Sequence, residues 1–177
     1  MISRRAFLTT AGASVAVAGL GTGVWARGPG EAVAREPWTQ AGTSFGDPRL
    51  DALSYAILAP NPHNRQPWHF ELLNDTGIRI SCDLERRLPH TDPFDRQITI
   101  GFGCKIELLS QAAKSLGYRA EVTAFPLGAP GERLDSRPIA EVTFVEEAGI
   151  EKDPLFANVL ERRSLKEPFD TSRLVSN

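Results

Sequence analysis

The 177-residue chain carries two cysteines, three histidines and one methionine. His63, His69 and His90 are too dispersed for a metal site, and no Ser-His-Asp or Cys-His arrangement can be placed from spacing. A basic excess is missing too: the formal net charge is -2 and the isoelectric point about 5.9. Nucleic-acid binding needs a concentrated positive surface to neutralise phosphates, so that partner class is excluded. No apolar run reaches the ~20 residues that span a bilayer. Residues 98–145 show no internal repeat.

What is present is 41% hydrophobic residues, enough for one sizeable core and one domain. The chain opens with Ser3-Arg4-Arg5-Ala6-Phe7-Leu8, and residues 9–25 carry no charged side chain. A twin arginine before a mildly apolar, glycine-rich run is the address of the Tat translocase, with cleavage expected after Ala26. Residues 1–26 are therefore assigned as a signal peptide, and the mature protein is expected outside the cytoplasm. The Tat pathway carries chains that fold first, under reducing conditions, so Cys82 and Cys104 are expected as two buried free thiols. Residues 27–47, with Pro29, Pro37 and several glycines and serines but no apolar periodicity, are expected to drape over the domain as a leader. The domain itself is assigned to residues 48–177.

Within the domain, Leu53, Ile57 and Leu58 recur at helical spacing, giving a short helix that must end before Pro60. Residues 68–73 and 77–83 flank Asn74-Asp75-Thr76-Gly77 and form a hairpin. Residues 84–97 mix charge with proline and form a loop. Residues 98–116 are the longest helical candidate, with an apolar stripe through Ile106, Leu109, Ala113 and Leu116 and Gly117 as its cap. Gly101 and Gly103 each lower its propensity by ~1 kcal/mol, which points to close approach by a ligand or a partner helix. Residues 118–125 and 139–145 alternate as strands, and Asp153-Pro154 opens a last helix running to Leu160.

The stretch most suited to holding a ligand is Ala59-Pro60-Asn61-Pro62-His63-Asn64-Arg65-Gln66-Pro67-Trp68. Three prolines stiffen it, and its amides suit a flat heteroaromatic group carrying donors and acceptors. This pattern resembles the flavin-edge loop of the nitroreductase superfamily, in which a serine usually stands where this chain has Asn61. Arg162-Arg163-Ser164, followed by Lys166, resembles the family's phosphate-binding signature, and a guanidinium pair beside a hydroxyl suits a phosphomonoester. The stretch from Arg87 to Arg96 resembles the Arg-Leu-Pro-x-x-Asp-Pro-x-x-Arg segment of the tandem-half, Acg-type branch. That branch also shares the order of the motifs, with the proline-rich loop before the arginines.

The resemblance covers about residues 48–170 and implies an α+β, nitroreductase-like sandwich corresponding to the first half of a two-half chain. It further implies FMN held by Pro60, Asn61, His63, Asn64, Gln66, Arg162, Arg163 and Ser164. The cofactor then supplies the chemistry, passing hydride from a small-molecule donor to a quinone or nitro-type acceptor, so no catalytic side chain and no metal ligand is assigned. Two alternatives remain open: a protein that sequesters flavin without turnover, and a half-domain inactive without a partner. Because the arginines lie close to the chain's end with little apolar sequence to pack them, the loop of one copy and the arginines of another are expected to share the flavin.

Overall fold

The computed structural model describes residues 29–164, 167, 168 and 170–172. The signal-peptide assignment on residues 1–26 and the basic residue Lys166 lie outside the described residues. Among the described residues three α-helices, α1 (Pro29–Gln40), α2 (Pro48–Ala56) and α3 (Arg96–Ser115), accompany four strands, β1 (Trp68–Leu73), β2 (Gly77–Cys82), β3 (Tyr118–Ala124) and β4 (Pro138–Glu146). The strands form one antiparallel sheet in the order β1-β2-β4-β3. The class is α+β, as the sequence predicts.

The β1–β2 hairpin closes where expected, with Leu73 opposite Gly77 and Asn74 at φ 47. Asn tolerates that left-handed conformation better than most residues, which explains its place at the turn. Arg49 reinforces the turn from α2, donating to the Asn74 carbonyl at 2.7 Å while its guanidinium pairs with Asp47 at 2.6 Å. Burial on α3 follows the helical repeat through Ile98, Phe102, Lys105, Leu109 and Ala113, and this stripe joins Ile78, Ile80, Val142 and Phe144 of the sheet in one core. Lys105 is the member the pattern does not reveal. It is fully buried, with its ammonium 3.2 Å from the Trp68 ring centroid and 4.3 Å from that of Phe70, a cation–π arrangement.

Three sequence expectations change. The residues assigned to a draped leader contain α1 with Pro37 inside it; an interior proline loses a hydrogen bond and clashes with the preceding turn, about 3 kcal/mol, which the burial of Pro37 and the docking of this end of the helix offset. Trp38 and Ala41 then pack against the core. The last helix is only a 3-10 turn, Pro154–Asn158, capped by the Asp153 carboxylate at 2.8 Å from the Leu155 nitrogen. Of the two cysteines, Cys82 is buried and Cys104 only partly so.

The Arg87 to Arg96 stretch serves the fold. Asp92 accepts from the Ile98 nitrogen at 2.9 Å, capping the start of α3. Asp95, fully buried at φ 55, accepts from Arg87 at 3.1 and 2.5 Å and from the Leu134 nitrogen at 3.1 Å. One carboxylate thus ties the helix start to the β3–β4 connection.

Candidate functional site

The loop between α2 and β1 bends through three non-glycine residues in left-handed conformation, His63 (φ 50), Asn64 (φ 49) and Gln66 (φ 49). Each such residue stores of order 1 kcal/mol of strain unless its surroundings over-determine it. Asn61 supplies much of that restraint. Its Oδ1 accepts from the Gln66 nitrogen at 2.7 Å and its Nδ2 donates to the Ala59 carbonyl at 3.2 Å. Gln66 Nε2 donates in turn to Asn64 Oδ1 at 3.0 Å. The loop rests on α3 at Gly101, where an added Cβ would lie 3.4 Å from that of Asn61 and 3.5 Å from Pro62 Cδ. An added Cβ at Gly101 would thus make only ordinary van der Waals contact with the loop, and at Gly103 it would meet nothing within 4 Å, so neither glycine marks the close approach of a ligand or partner helix that the sequence suggests.

A cavity of about 290 Å³ opens beside the loop. Its walls are the segment from Ile57 to Asn61, Asn64, Gln66, Arg162, Arg163, Ser164 and, from α1, Trp38. The two motifs, about a hundred residues apart in sequence, line one cavity in one chain. Arg162 is anchored by donating to the Leu58 carbonyl at 2.8 Å, and its other terminal nitrogen lies 3.4 Å from Ser164 Oγ. Arg163 donates to the Leu160 carbonyl at 2.6 Å and sits 5.8 Å from the Trp38 ring centroid. Among the described residues neither arginine pairs with a carboxylate. Two uncompensated guanidiniums beside a hydroxyl favour an anion.

Two polar atoms of these walls are buried with no hydrogen-bond partner among the described residues: the acceptor Gln66 Oε1 and the donor Trp38 Nε1. Gln66 itself is 8% exposed. An orphaned buried acceptor is unfavourable by about 1–3 kcal/mol, which a ligand donor would relieve. Of the predicted residues, Pro60, Asn61, Asn64, Gln66, Arg162, Arg163 and Ser164 come together, and His63 does not line the cavity. Asn61 faces inward to the loop's own backbone more than to a ligand. Trp38 was missed because it lies in the proline-flanked stretch read as leader; its signal was an aromatic side chain following a run of helix formers.

Pro60 and Asn61 also wall a second hollow of about 330 Å³, whose far side is Gln97, Ile100, Gly101 and Cys104 on α3. Cys82 lies elsewhere, in the core, where burial pushes its thiol up to about 12. Among the described residues no three His, Cys, Asp or Glu side chains converge to hold a metal ion.

No protein-family profile matches the chain. Sequence relatives do. Rv3131 of Mycobacterium tuberculosis, provisionally named an NAD(P)H nitroreductase, is 32% identical over 74 residues, which are 42% of this chain and 21% of that protein. The M. tuberculosis protein acg, with the same provisional name, is 28% identical over 67% of this chain and 36% of its own length. PigM of Serratia, another provisionally named NAD(P)H nitroreductase, is 32% identical over 42% of this chain and 21% of its length. The chain thus spans about a fifth to a third of the curated relatives it matches. A crystal structure titled as an NADH oxidase of Clostridium acetobutylicum superposes with a TM-score of 0.44 at 16% identity, over 66% of this chain and 86% of that one. By sequence, then, the chain is similar to proteins bearing nitroreductase names, the Acg protein among them.

Proposed function

We propose that this chain is an FMN-binding oxidoreductase of nitroreductase type and that the cavity beside the proline-rich loop is its cofactor site. The observation that carries this reading is the convergence on one cavity of Arg162, Arg163 and Ser164 with the orphaned Gln66 acceptor. These groups fit the two ends of a flavin mononucleotide. The arginines and Ser164 would take the phosphate, and Gln66 Oε1 would accept from a ring N–H. When bound, FMN supplies two-electron chemistry, taking hydride from a reduced donor and passing it to a quinone or nitro-type acceptor. The chain's own part is to bind and orient. Asn61 fixes the loop so that the Gln66 amide keeps one position, and Arg162, tied to the Leu58 carbonyl, holds the phosphate end at a set distance from it.

At about 290 Å³ the cavity stands at the lower end of the ~300–1,000 Å³ usual for ligand sites, so its walls cover only part of a nucleotide. A second copy, or a complementary half, is therefore proposed to complete the enclosure. Export by the Tat pathway is proposed on the Arg4-Arg5 pair and the uncharged run behind it. Titration of the purified protein with FMN and with riboflavin tests the site. Saturable FMN binding that is at least tenfold tighter than riboflavin binding is expected, and equal or absent binding of both would refute it. Reduction of the bound flavin followed by addition of a nitroaromatic or a quinone separates an enzyme from a protein that only sequesters flavin.

A further inference from the structure

Trp38 belongs to neither motif, yet it occupies a distinctive place. It stands between the cavity described above and a neighbouring hollow of about 460 Å³ walled by Ala34, Arg35, Thr39 and Leu160, with Arg163 common to both. The Arg163 guanidinium lies 5.8 Å from its ring centroid, within cation–π range. Pro37 is buried and Ala41 packs on the core, so the end of α1 that carries Trp38 is fixed to the domain. Its indole Nε1 is buried without a partner among the described residues. A buried indole N–H ordinarily finds an acceptor. Trp38 and Gln66, the residues that carry an orphaned donor and an orphaned acceptor, thus both wall one cavity that two arginines make positive.

We propose that Trp38 is a ligand-contacting residue of this cavity, its indole N–H donating to an acceptor oxygen or nitrogen of the bound nucleotide and its ring forming the wall that Arg163 braces. The inference rests on the FMN reading and extends the site to α1. Binding then closes a contact between α1 and the ligand, so the end of α1 becomes more protected when the cavity is filled.

The test uses FMN as the probe on the whole chain. Trp38→Phe keeps an aromatic ring against the core but loses the N–H together with part of the indole's ring, and it should weaken FMN binding about five- to tenfold. Trp38→His, which restores a ring donor, should recover part of that loss. In the unaltered protein, FMN should slow amide hydrogen exchange across residues 38–41, a measurement that needs no variant to fold. Unchanged affinity in Trp38→Phe, or exchange at 38–41 indifferent to FMN, would overturn the assignment of Trp38 while leaving the flavin site standing. Failure of the unaltered protein to bind FMN would overturn both.

Discussion

Replacing Asn61 with alanine tests whether the loop's conformation is held from within. The side chain makes its shortest bond across the loop, from the Gln66 nitrogen to Oδ1 at 2.7 Å, and a second from Nδ2 to the Ala59 carbonyl at 3.2 Å. Alanine removes both and leaves a part-buried Gln66 N–H without an acceptor. Stranding a buried donor costs about 1–3 kcal/mol, and an ordinary hydrogen bond contributes about 1 kcal/mol net. A loss near 2 kcal/mol is expected, because part of the strain at His63, Asn64 and Gln66 is released when the loop relaxes. Asn64→Ala is the control: it deletes one acceptor for Gln66 Nε2 at 3.0 Å and should lose about 1 kcal/mol or less. Asn61→Ser, which installs the residue that nitroreductase loops resembling this one carry, should fall between the two, since a hydroxyl is too short to reach the Gln66 nitrogen without movement of the loop. Urea denaturation followed by circular dichroism reports the differences as shifts in midpoint at constant slope. An Asn61→Ala variant within about 0.5 kcal/mol of the parent, or less affected than Asn64→Ala, would refute internal bracing of the loop.

The buried Asp95 should be far more sensitive than any exposed acid: Asp95→Ala strands Arg87 and the Leu134 nitrogen, and urea melts should show a loss of about 3–5 kcal/mol, against the outcome of less than about 1 kcal/mol if the cluster is incidental. The Arg49 guanidinium holds the Asp47 carboxyl below its ordinary value of 3.8. A depressed folded-state value means that this contribution to stability is complete above 3.8 and is lost as pH falls through the lower value, so Asp47→Asn should flatten the dependence of the urea midpoint on pH in that acid window; identical slopes would contradict the pairing. Cys82, buried and with its thiol pushed up to about 12, should resist iodoacetamide in the folded protein while the partly exposed Cys104 is alkylated first, as peptide mass spectrometry would show; equal rates at the two thiols would contradict the packing around Cys82.

Much of the fold was legible in the sequence because local rules and tertiary packing agree there. α2 ends at Ala56, short of Pro60 as required, Asn74 and Gly77 shape the hairpin, and the stripe through Leu109 and Ala113 marks the core face of α3. Misreadings fall where a single strong residue outweighed its neighbours. Pro29, Pro37 and the glycines and serines near them suggested an irregular leader, but α1 runs through Pro37 and tolerates its lost hydrogen bond and ring clash in exchange for docking Trp38 and Ala41. Gly101 and Gly103 suggested close approach by a ligand or a partner helix, but an added Cβ would make ordinary contact with the loop at the first and meet nothing at the second. Lys105 was hidden because a cation on an apolar stripe has no periodic signature; its aromatic neighbours Trp68 and Phe70 come from a strand some thirty-five residues earlier in the chain. The residues of the candidate site were legible as two motifs, but their lining of one cavity in one chain was not, because it depends on Arg162 reaching the Leu58 carbonyl across the fold.

The central claim is that the loop and the arginines of one chain together hold FMN. Calorimetric titration with FMN, run in parallel on the parent, Gln66→Ala and Arg162→Ala, tests it most directly. The account predicts saturable binding at one FMN per chain, weakened several-fold by Gln66→Ala and by more than tenfold by Arg162→Ala, since the latter removes a charged partner. Absence of FMN binding by the parent, or binding that both variants leave unchanged, would contradict it.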